Sequence, residues 1–399
     1  MPLSLFVVAP SALLTDHQPH GDGLVAYGFI REMALRGHEL HVAAQRVDLR
    51  DPAPAGVHIH LLRDPTRTPA PRDRAGAMWR MRRLFQRLGG PARFDLAHQL
   101  NPVDAGLSLA LADQPLPMVL GPYVPDWPQS GPGSVEAPSS GPRELKRALR
   151  AAQQRRARLV LLSTPAAETK LAGPRTPSTL VRVVPPGIDD VLWSPGRPQE
   201  HREPIVLFLA NLRIRKGVMV LLDAFDGMAM RRPDVRLRLG GAGPLEAEVR
   251  RRVAASPVRD RIEMLGHVER ADAPAVVSDG DIFCAPSYAE PFGLSALEAM
   301  ACARPVVATD AGGLRHLVDG SGGRLVRPGD AAGLAAALGE LLDDPDLRSR
   351  MGAHNRGRVE ERFSWSRVGD RLEEAYAEAL DGPTPVRGVD RSRAAALNA

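Results

Sequence analysis

The sequence has 399 residues, of which 44% are apolar, and a formal net charge of +5 at pH 7, and this length and apolar content predict two domains, each with its own core. The only two cysteines, Cys284 and Cys302, each lie in an apolar run, which predicts buried free thiols and excludes a disulfide framework. Four Trp and four Tyr residues are too few to stack bases along the basic stretches, so no nucleic-acid partner is expected.

The first predicted element is a strand at 3–9. The N-terminus lacks a basic region, and its apolar run is too short for a signal peptide or a membrane span. Together with the free thiols, this predicts a cytoplasmic protein. A helix at 24–35 and a strand at 39–43 follow. Gly21 and Gly23 precede the helix, where glycines either let the backbone approach a ligand or form an ordinary turn.

Two basic helices are predicted in the first half, at 74–88 and 143–158. The first places Ala77, Met78, Met81, Leu84, Phe85 and Leu88 on one face and arginines elsewhere. This pattern is typical of a surface helix packed on a core, and also of an interfacial membrane helix. We expect the packing role, with weak peripheral contact at the inner membrane face through both basic helices as the alternative.

Further strands are predicted at 94–100, 117–120 and 159–162. Residues 125–142 are rich in Pro, Gly and Ser without periodicity, so an exposed loop is predicted there. Strands at 205–210, 235–239, 262–265, 282–285 and 305–308 then alternate with helices. This alternation predicts an α/β protein with a parallel sheet in each half.

Two loops of the second half suggest phosphate or nucleotide binding. Lys216 stands before Gly217 at a helix start, where its ammonium group can meet a diphosphate. Gly241 and Gly243 follow a strand, but no third glycine completes a dinucleotide fingerprint. The D-x-D pattern at 279–281 precedes a buried strand, away from the ligand-facing strand ends, so no metal site is predicted.

The stretch 287–301 predicts an anion site at a helix N-terminus. Gly293 keeps the preceding residues out of the helix, so the amides of Gly293, Leu294 and Ser295 should point into a cleft with the positive end of the helix dipole behind them. Glu290, before the turn, suits a sugar hydroxyl, and Glu298 suits a second polyol. The alternative is a capping box formed by Ser295 and Glu298.

This stretch resembles the signature of the retaining GT-B glycosyltransferases of family 4. Seven residues, including Pro-Phe-Gly-Leu, separate Glu290 from Glu298, and Ala-Met-Ala follows the second glutamate. The resemblance implies two Rossmann-like, doubly wound parallel-sheet domains facing across a cleft. It implies an acceptor-side domain at 1–182 completed by a C-terminal helix at 364–381, a linker at 183–199 and a donor-binding domain at 200–363. The polar tail at 382–399 is predicted to be disordered.

The resemblance also implies roles for individual residues. Glu290, Lys216 and His98 would be catalytic. The sugar-nucleotide donor would contact Gly21, Gly23, Asn211, Lys216, Gly241, Gly243, His267, Val268, Glu290, Phe292, Gly293, Leu294, Ser295 and Glu298. The sequence departs from the family pattern at Asn211, where arginine is usual, and at Leu100, where a second histidine is usual. The cation expected at 211 is therefore missing or supplied by Arg213 or Arg215, although both precede the turn and have no fixed anchor in the sequence.

The implied activity is transfer of a hexose-type sugar from a nucleoside diphosphate to an acceptor hydroxyl by a monomer or homodimer, with no metal or other cofactor. A catalytically inactive sugar-nucleotide-binding partner protein is the first alternative, because the residues at 211 and 100 depart from the pattern. A sugar-nucleotide epimerase on the same fold is the second.

Overall fold

The computed structural model describes residues 1–9, 13–18, 21–62, 74–100, 106–123, 143–171, 179–196 and 203–381. The predicted loop at 125–142 and the predicted tail at 382–399 lie outside these residues. The described strands of the first half are β1 Ser4–Ala9, β2 Leu14–Thr15, β3 Glu39–Ala44, β4 Val47–Asp48, β5 Val57–Leu61, β6 Leu96–Gln99, β7 Met118–Tyr123, β8 Leu159–Leu162 and β9 Leu180–Val183. The helices are α1 Gly21–Leu35, α2 Arg74–Arg87 and α3 Arg143–Arg156.

Seven of these strands form one parallel sheet in the order β5-β3-β1-β6-β7-β8-β9, and β2 pairs with β4 separately. The central strands are buried along almost their whole length, as expected for strands covered on both faces. One face packs against α1 and the other against α2. The apolar face of α2 is buried in that second core, which confirms its packing role.

The second sheet has six parallel strands in the order β12-β11-β10-β13-β14-β15. Its strands are β10 Ile205–Leu209, β11 Arg236–Gly240, β12 Ile262–Gly266, β13 Ile282–Ala285, β14 Val306–Thr309 and β15 Gly323–Val326. Its helices are α4 Val218–Ala229, α5 Glu246–Ala254, α6 Ala273–Asp279, α7 Leu294–Ala301, α8 Leu314–Leu317, α9 Ala331–Asp343 and α10 Pro345–Arg362. Cores cover both faces of this sheet, so each half is a three-layer α/β unit as predicted.

The chain returns to the first sheet through its last helix, α11 Trp365–Leu380, which packs on α1. Ile188 donates to the carbonyl of Phe363 at 2.8 Å, so the outgoing and returning segments run side by side. The Trp365 ring lies against Gly28 and Gly187, where an added β-carbon would stand 2.0 and 2.5 Å from ring atoms. Glycine at both positions therefore makes room for this ring.

Two further predictions concern compartment. Cys284 and Cys302 are free and buried, as predicted. Within the described part of the chain, no helix combines the length and apolar character that crossing a membrane requires.

Candidate active site

A cavity of about 670 Å³ opens at the carboxyl ends of β10, β11 and β12, the edge at which doubly wound sheets bind ligands. The first turn of α1 lines it from the side of the first sheet. All predicted donor-binding residues except Gly23 line it: Gly21, Asn211, Lys216, Gly241, Gly243, His267, Val268, Glu290, Phe292, Gly293, Leu294, Ser295 and Glu298. Segments far apart in sequence thus converge on one concave surface.

The N-terminus of α7 faces this cavity. Gly293 is its N-cap, with a φ of 107°, a conformation that disfavours any side chain. No side chain of the described residues caps the helix, and the first amides of a helix have no acceptor within it. The alternative of a capping box is therefore wrong, because Ser295 already lies inside the helix. The free amides and the dipole favour an anion here.

Glu290 joins two cations beside this helix end. Its Oε2 accepts from Lys216 Nζ at 2.5 Å and lies 3.4 Å from a guanidinium nitrogen of Arg215. The Ser287 hydroxyl is 3.3 Å from the same oxygen. The three side chains of Glu290, Lys216 and Arg215 are each at least 84% buried. Charge-assisted hydrogen bonds of this kind fix the direction of the carboxylate.

Arg215 is anchored, contrary to what its place before the turn indicates. Its guanidinium also donates to the carbonyl of Ala289 at 2.8 Å, and its own carbonyl accepts from Tyr288 N at 2.8 Å. Gly217, with a φ of 71°, packs against the loop that follows β13. A β-carbon added at Gly217 would stand 1.9 Å from Pro286 O. The segments carrying Lys216 and Glu290 are therefore locked together.

Glu298 is paired with an arginine that the sequence did not single out. Arg270 lies 3.5 Å from Glu298 Oε1, lines the cavity and places its guanidinium 6.0 Å from the ring centre of Trp193. Burial raises the pKa of Glu298 to about 7, and Arg270 opposes this shift. The only sequence signal was the position of Arg270, two residues after Val268. Trp193 was also missed as a lining residue, and Arg215 was considered only as one of two possible sources of the missing cation.

The glycines that follow β11 let that loop pack closely against the loop that follows β10. A β-carbon on Gly241 would stand 1.9 Å from Ala210 O, and one on Gly243 would stand 2.7 Å from Asn211 Oδ1. Asn211 Oδ1 accepts from Arg213 Nε at 3.0 Å, which directs that arginine onto the loop. Asn211 therefore lines the cavity as a neutral amide, and the cationic groups beside it come from Lys216 and Arg215.

The structure corrects two placements. His98 is 1% exposed and lies outside the cavity lining, with Nδ1 2.6 Å from the Tyr376 hydroxyl and Nε2 2.9 Å from Gly121 O. Its ring ties β6 to α11, and burial lowers its pKa to about 4. Gly23 packs inside the first turn of α1, where a β-carbon would stand 2.0 Å from Leu13 O. Both residues serve packing in this arrangement.

The D-x-D aspartates have structural partners. Asp279 forms an ion pair with Arg238, and Asp281 accepts from the Ile205 amide at 2.7 Å. Both lie outside the cavity lining. Their carboxylates stabilise the start of β13 and the neighbouring strands, consistent with their place before a buried strand.

Comparison with known proteins identifies the two halves separately. Residues 20–192 match the family model described as Glycosyltransferase Family 4, and residues 193–358 match the one described as Glycosyl transferases group 1. The chain is 33% identical over 176 residues to alpha-D-kanosaminyltransferase of Streptomyces kanamyceticus, covering 44% of this chain and 46% of that protein.

It is 32% identical over 207 residues to the GDP-mannose-dependent monoacylated alpha-(1-6)-phosphatidylinositol monomannoside mannosyltransferase of Corynebacterium glutamicum, covering 47% of this chain and 54% of that protein. The matches thus span about half the length of these curated relatives. Sucrose-phosphate synthase of Thermosynechococcus elongatus shares the fold, with a TM-score of 0.74 at 24% identity over 94% of this chain and 98% of that one. Two adjoining family matches and the shared two-sheet architecture show that this chain belongs to the GT-B glycosyltransferases of family 4.

Proposed function

We propose that this protein is a retaining glycosyltransferase that moves a hexose-type sugar from a nucleoside-diphosphate donor to a hydroxyl acceptor without a metal ion. The observation that carries the proposal is the cluster of Lys216, Arg215 and Glu290 at the N-terminus of α7. Two fixed cations outweigh one carboxylate there, and the helix end adds a partial positive charge. Such a site suits a diphosphate leaving group.

The carboxylate of Glu298 suits the ribose of a nucleotide. Glu298 lies further along α7, and its carboxylate can accept from two neighbouring hydroxyls such as those of a ribose. His267 and Val268, directly after β12, line the same cavity, and we expect them to contact the base. Glu290, fixed by its two cations, would accept from hydroxyls of the transferred sugar. The C. glutamicum relative, whose name specifies GDP-mannose, supports a nucleotide-sugar donor.

In the proposed reaction the bond between the anomeric carbon and the diphosphate oxygen breaks while the acceptor oxygen attacks the same face. The acceptor proton passes to a diphosphate oxygen, so no protein nucleophile takes part. Lys216 and the amides of α7 stabilise the charge that develops on the leaving group. Because these donors are already in place, they need no reorganisation during the reaction.

The inactive binding protein is a weaker candidate on this geometry. Its motivation was the departures from the family pattern at Asn211 and Leu100, but Arg215 contributes an anchored guanidinium to the same cavity as Asn211. An epimerase would convert one nucleotide sugar into another with no acceptor present. The three candidates therefore differ in their products: a glycoside and a nucleoside diphosphate for the transferase, a second nucleotide sugar for the epimerase, and no product for the binding protein.

The test is a panel of nucleotide sugars incubated with and without candidate hydroxyl acceptors. Thermal shift first selects the donor, since a ligand at 100 times its Kd stabilises the fold by about 2.7 kcal/mol. Transfer predicts nucleoside diphosphate release coupled to a glycoside, with the anomeric configuration kept in its NMR spectrum. Inversion of that configuration would contradict retention, and donor binding without any release would support the inactive protein.

A further inference from the structure

A group of histidines occupies the edge of the first sheet, apart from the cavity. Glu39 and His41 alternate along β3, and His58 and His60 alternate along β5, so each pair shares one face of its strand. The parallel register places His41 beside His58. The sequence signal was this alternation of polar and apolar residues on two strands, and the proposed transfer reaction uses none of the four side chains.

Three donor atoms of this group converge. Glu39 Oε1 lies 3.3 Å from His41 Nε2 and 3.6 Å from His58 Nε2, and the three atoms all lie within 4.8 Å of one another. A tetrahedral zinc ion with bonds of about 2.0–2.1 Å separates neighbouring ligand atoms by about 3.4 Å. The two measured separations therefore match those around a bound ion.

We propose that Glu39, His41 and His58 bind a zinc-type divalent transition-metal ion. Two imidazole nitrogens and one carboxylate oxygen suit such an ion, whereas magnesium and calcium prefer oxygen ligands alone. His41 Nδ1 lies 3.0 Å from His60 Nε2, and a proton on His41 Nδ1 donated to His60 would leave the lone pair of His41 Nε2 for the metal.

Arg93 already places a cation at this position. One of its guanidinium nitrogens lies 2.8 Å from Glu39 Oε1 and 3.0 Å from His41 Nε2, so it donates to two of the three ligand atoms. A metal ion must displace this nitrogen. The Arg93 side chain is 42% exposed, which lets it move towards solvent. The guanidinium therefore competes with the metal and lowers the apparent affinity.

The site would tie two strands together at the sheet edge. β5 is the edge strand, and its partner β3 supplies the other two ligands. The His41 ring also packs edge-on against Phe94 at 5.5 Å, beneath the face that carries α2. Binding to the folded chain alone stabilises it in proportion to the logarithm of metal concentration over Kd. We therefore expect the bound ion to stabilise the fold and to take no part in binding at the cavity.

The experiment is calorimetric titration of zinc chloride into the tag-free, chelator-treated full chain. His58→Ala is the informative variant, because the side chain is 51% exposed and its loss leaves the core intact. We expect one ion per chain, affinity at least tenfold weaker in His58→Ala, and tighter binding in Arg93→Gln. His316→Ala, which removes an exposed histidine elsewhere, should bind as the wild type does.

A thermal-shift series with the same variants provides the second readout. Zinc should raise the melting temperature of the wild type and of His316→Ala, and should do so less in His58→Ala. Absence of a saturable site in the wild type, or equal zinc affinity of wild type and His58→Ala, would overturn the proposal. Equal affinity of wild type and Arg93→Gln would overturn the role of Arg93 as competitor.

Discussion

The two sides of the cleft differ in chemistry, although both are built from parallel sheets. Among the described residues that line the cavity, the side of the second sheet contributes three cationic side chains, Arg215, Lys216 and Arg270, and two glutamates. The side of the first sheet contributes the start of α1, namely Gly21, Asp22, Leu24 and Val25. The family signature lies entirely on the charged side.

Under the proposed function, this difference follows from what each side would recognise. A nucleoside diphosphate presents the same charged group whatever sugar it carries, so one set of cations and helix amides can serve it. The His98 position illustrates the opposite side, where a residue that resembles a site histidine is enclosed between β6 and α11. The comparison predicts that substitutions on the two sides separate catalysis from stability.

The largest effect is expected for Lys216→Ala. It removes a cation that lines the cavity together with the α7 N-terminus and should cost on the order of 3 kcal/mol in transition-state stabilisation, which is more than a hundredfold in kcat/KM. Arg213→Ala is the matched control, because Arg213 bonds to Asn211 and lies outside the cavity lining. Arg215→Ala should fall between the two. If Lys216→Ala keeps more than about a tenth of the wild-type kcat/KM, groups other than Lys216 must stabilise the leaving group.

Glu290→Gln should lower kcat by roughly a hundredfold while the fold stays intact. The amide keeps the size of the side chain but removes the charge that fixes Lys216 and Arg215. Combining it with Lys216→Ala should cost much less than the sum of the two single effects, since the two groups act as one unit. Steady-state kinetics of the four proteins measures this coupling, and strict additivity would show that the ion pair has no catalytic role.

His98→Ala should lower the free energy of unfolding by about 2–3 kcal/mol, because it leaves a cavity and removes the partner of the Tyr376 hydroxyl. The KM for the donor should stay at the wild-type value. Urea unfolding and kinetics on the same preparation separate these effects. If His98→Ala is as stable as the wild type but has lost turnover, His98 has a catalytic role. Catalysis and stability would then not be separated between the two sides of the cleft.

A smaller effect is expected from pH. With a pKa of about 7, Glu298 is about one-tenth ionised at pH 6 and nine-tenths ionised at pH 8, so donor KM should rise up to about tenfold as pH falls between these values. Arg270→Gln should move the midpoint to higher pH, because it removes the charge that opposes protonation. Glu298→Gln should bind the donor weakly at both pH values, and the same KM slope in that variant would assign the titration to another group.

The same carboxyl group affects stability with the opposite sign. Its pKa in the folded state lies above its ordinary value, so the folded protein binds more protons between about pH 4.5 and pH 7. The stability contributed by this group is present below that window and is lost as pH rises through about 7. Comparing wild-type and Glu298→Gln unfolding across the window isolates this contribution.

Much of the fold could be predicted from the sequence because buried parallel strands are short apolar runs separated by turn residues. The turn chemistry around Gly217, Gly241 and Gly293 also placed most of the cavity lining, since glycines mark close backbone approach. Contacts through space could not be predicted in the same way. Arg270 meets Glu298 from another element, and His98 meets Tyr376 across 278 positions of sequence.

The anchoring of Arg215 shows the same limit. Its position before a turn indicates a free side chain, but its carbonyl and guanidinium both contact the segment 288–290, which is remote in sequence. The register between β3 and β5 likewise brings Glu39, His41 and His58 together only once the strands are aligned. Pattern predicts which residues face inward or outward, whereas the partner of each charged group depends on tertiary packing.

Calorimetric titration of nucleoside diphosphates tests the central claim, that the second-sheet side holds the donor through its diphosphate. Uridine, guanosine and adenosine diphosphates should be titrated into the wild type, Lys216→Ala and Arg213→Ala. The account predicts that at least one binds the wild type and Arg213→Ala alike, and binds Lys216→Ala at least tenfold more weakly. Failure of all three to bind the wild type, or equal binding by Lys216→Ala, would contradict it.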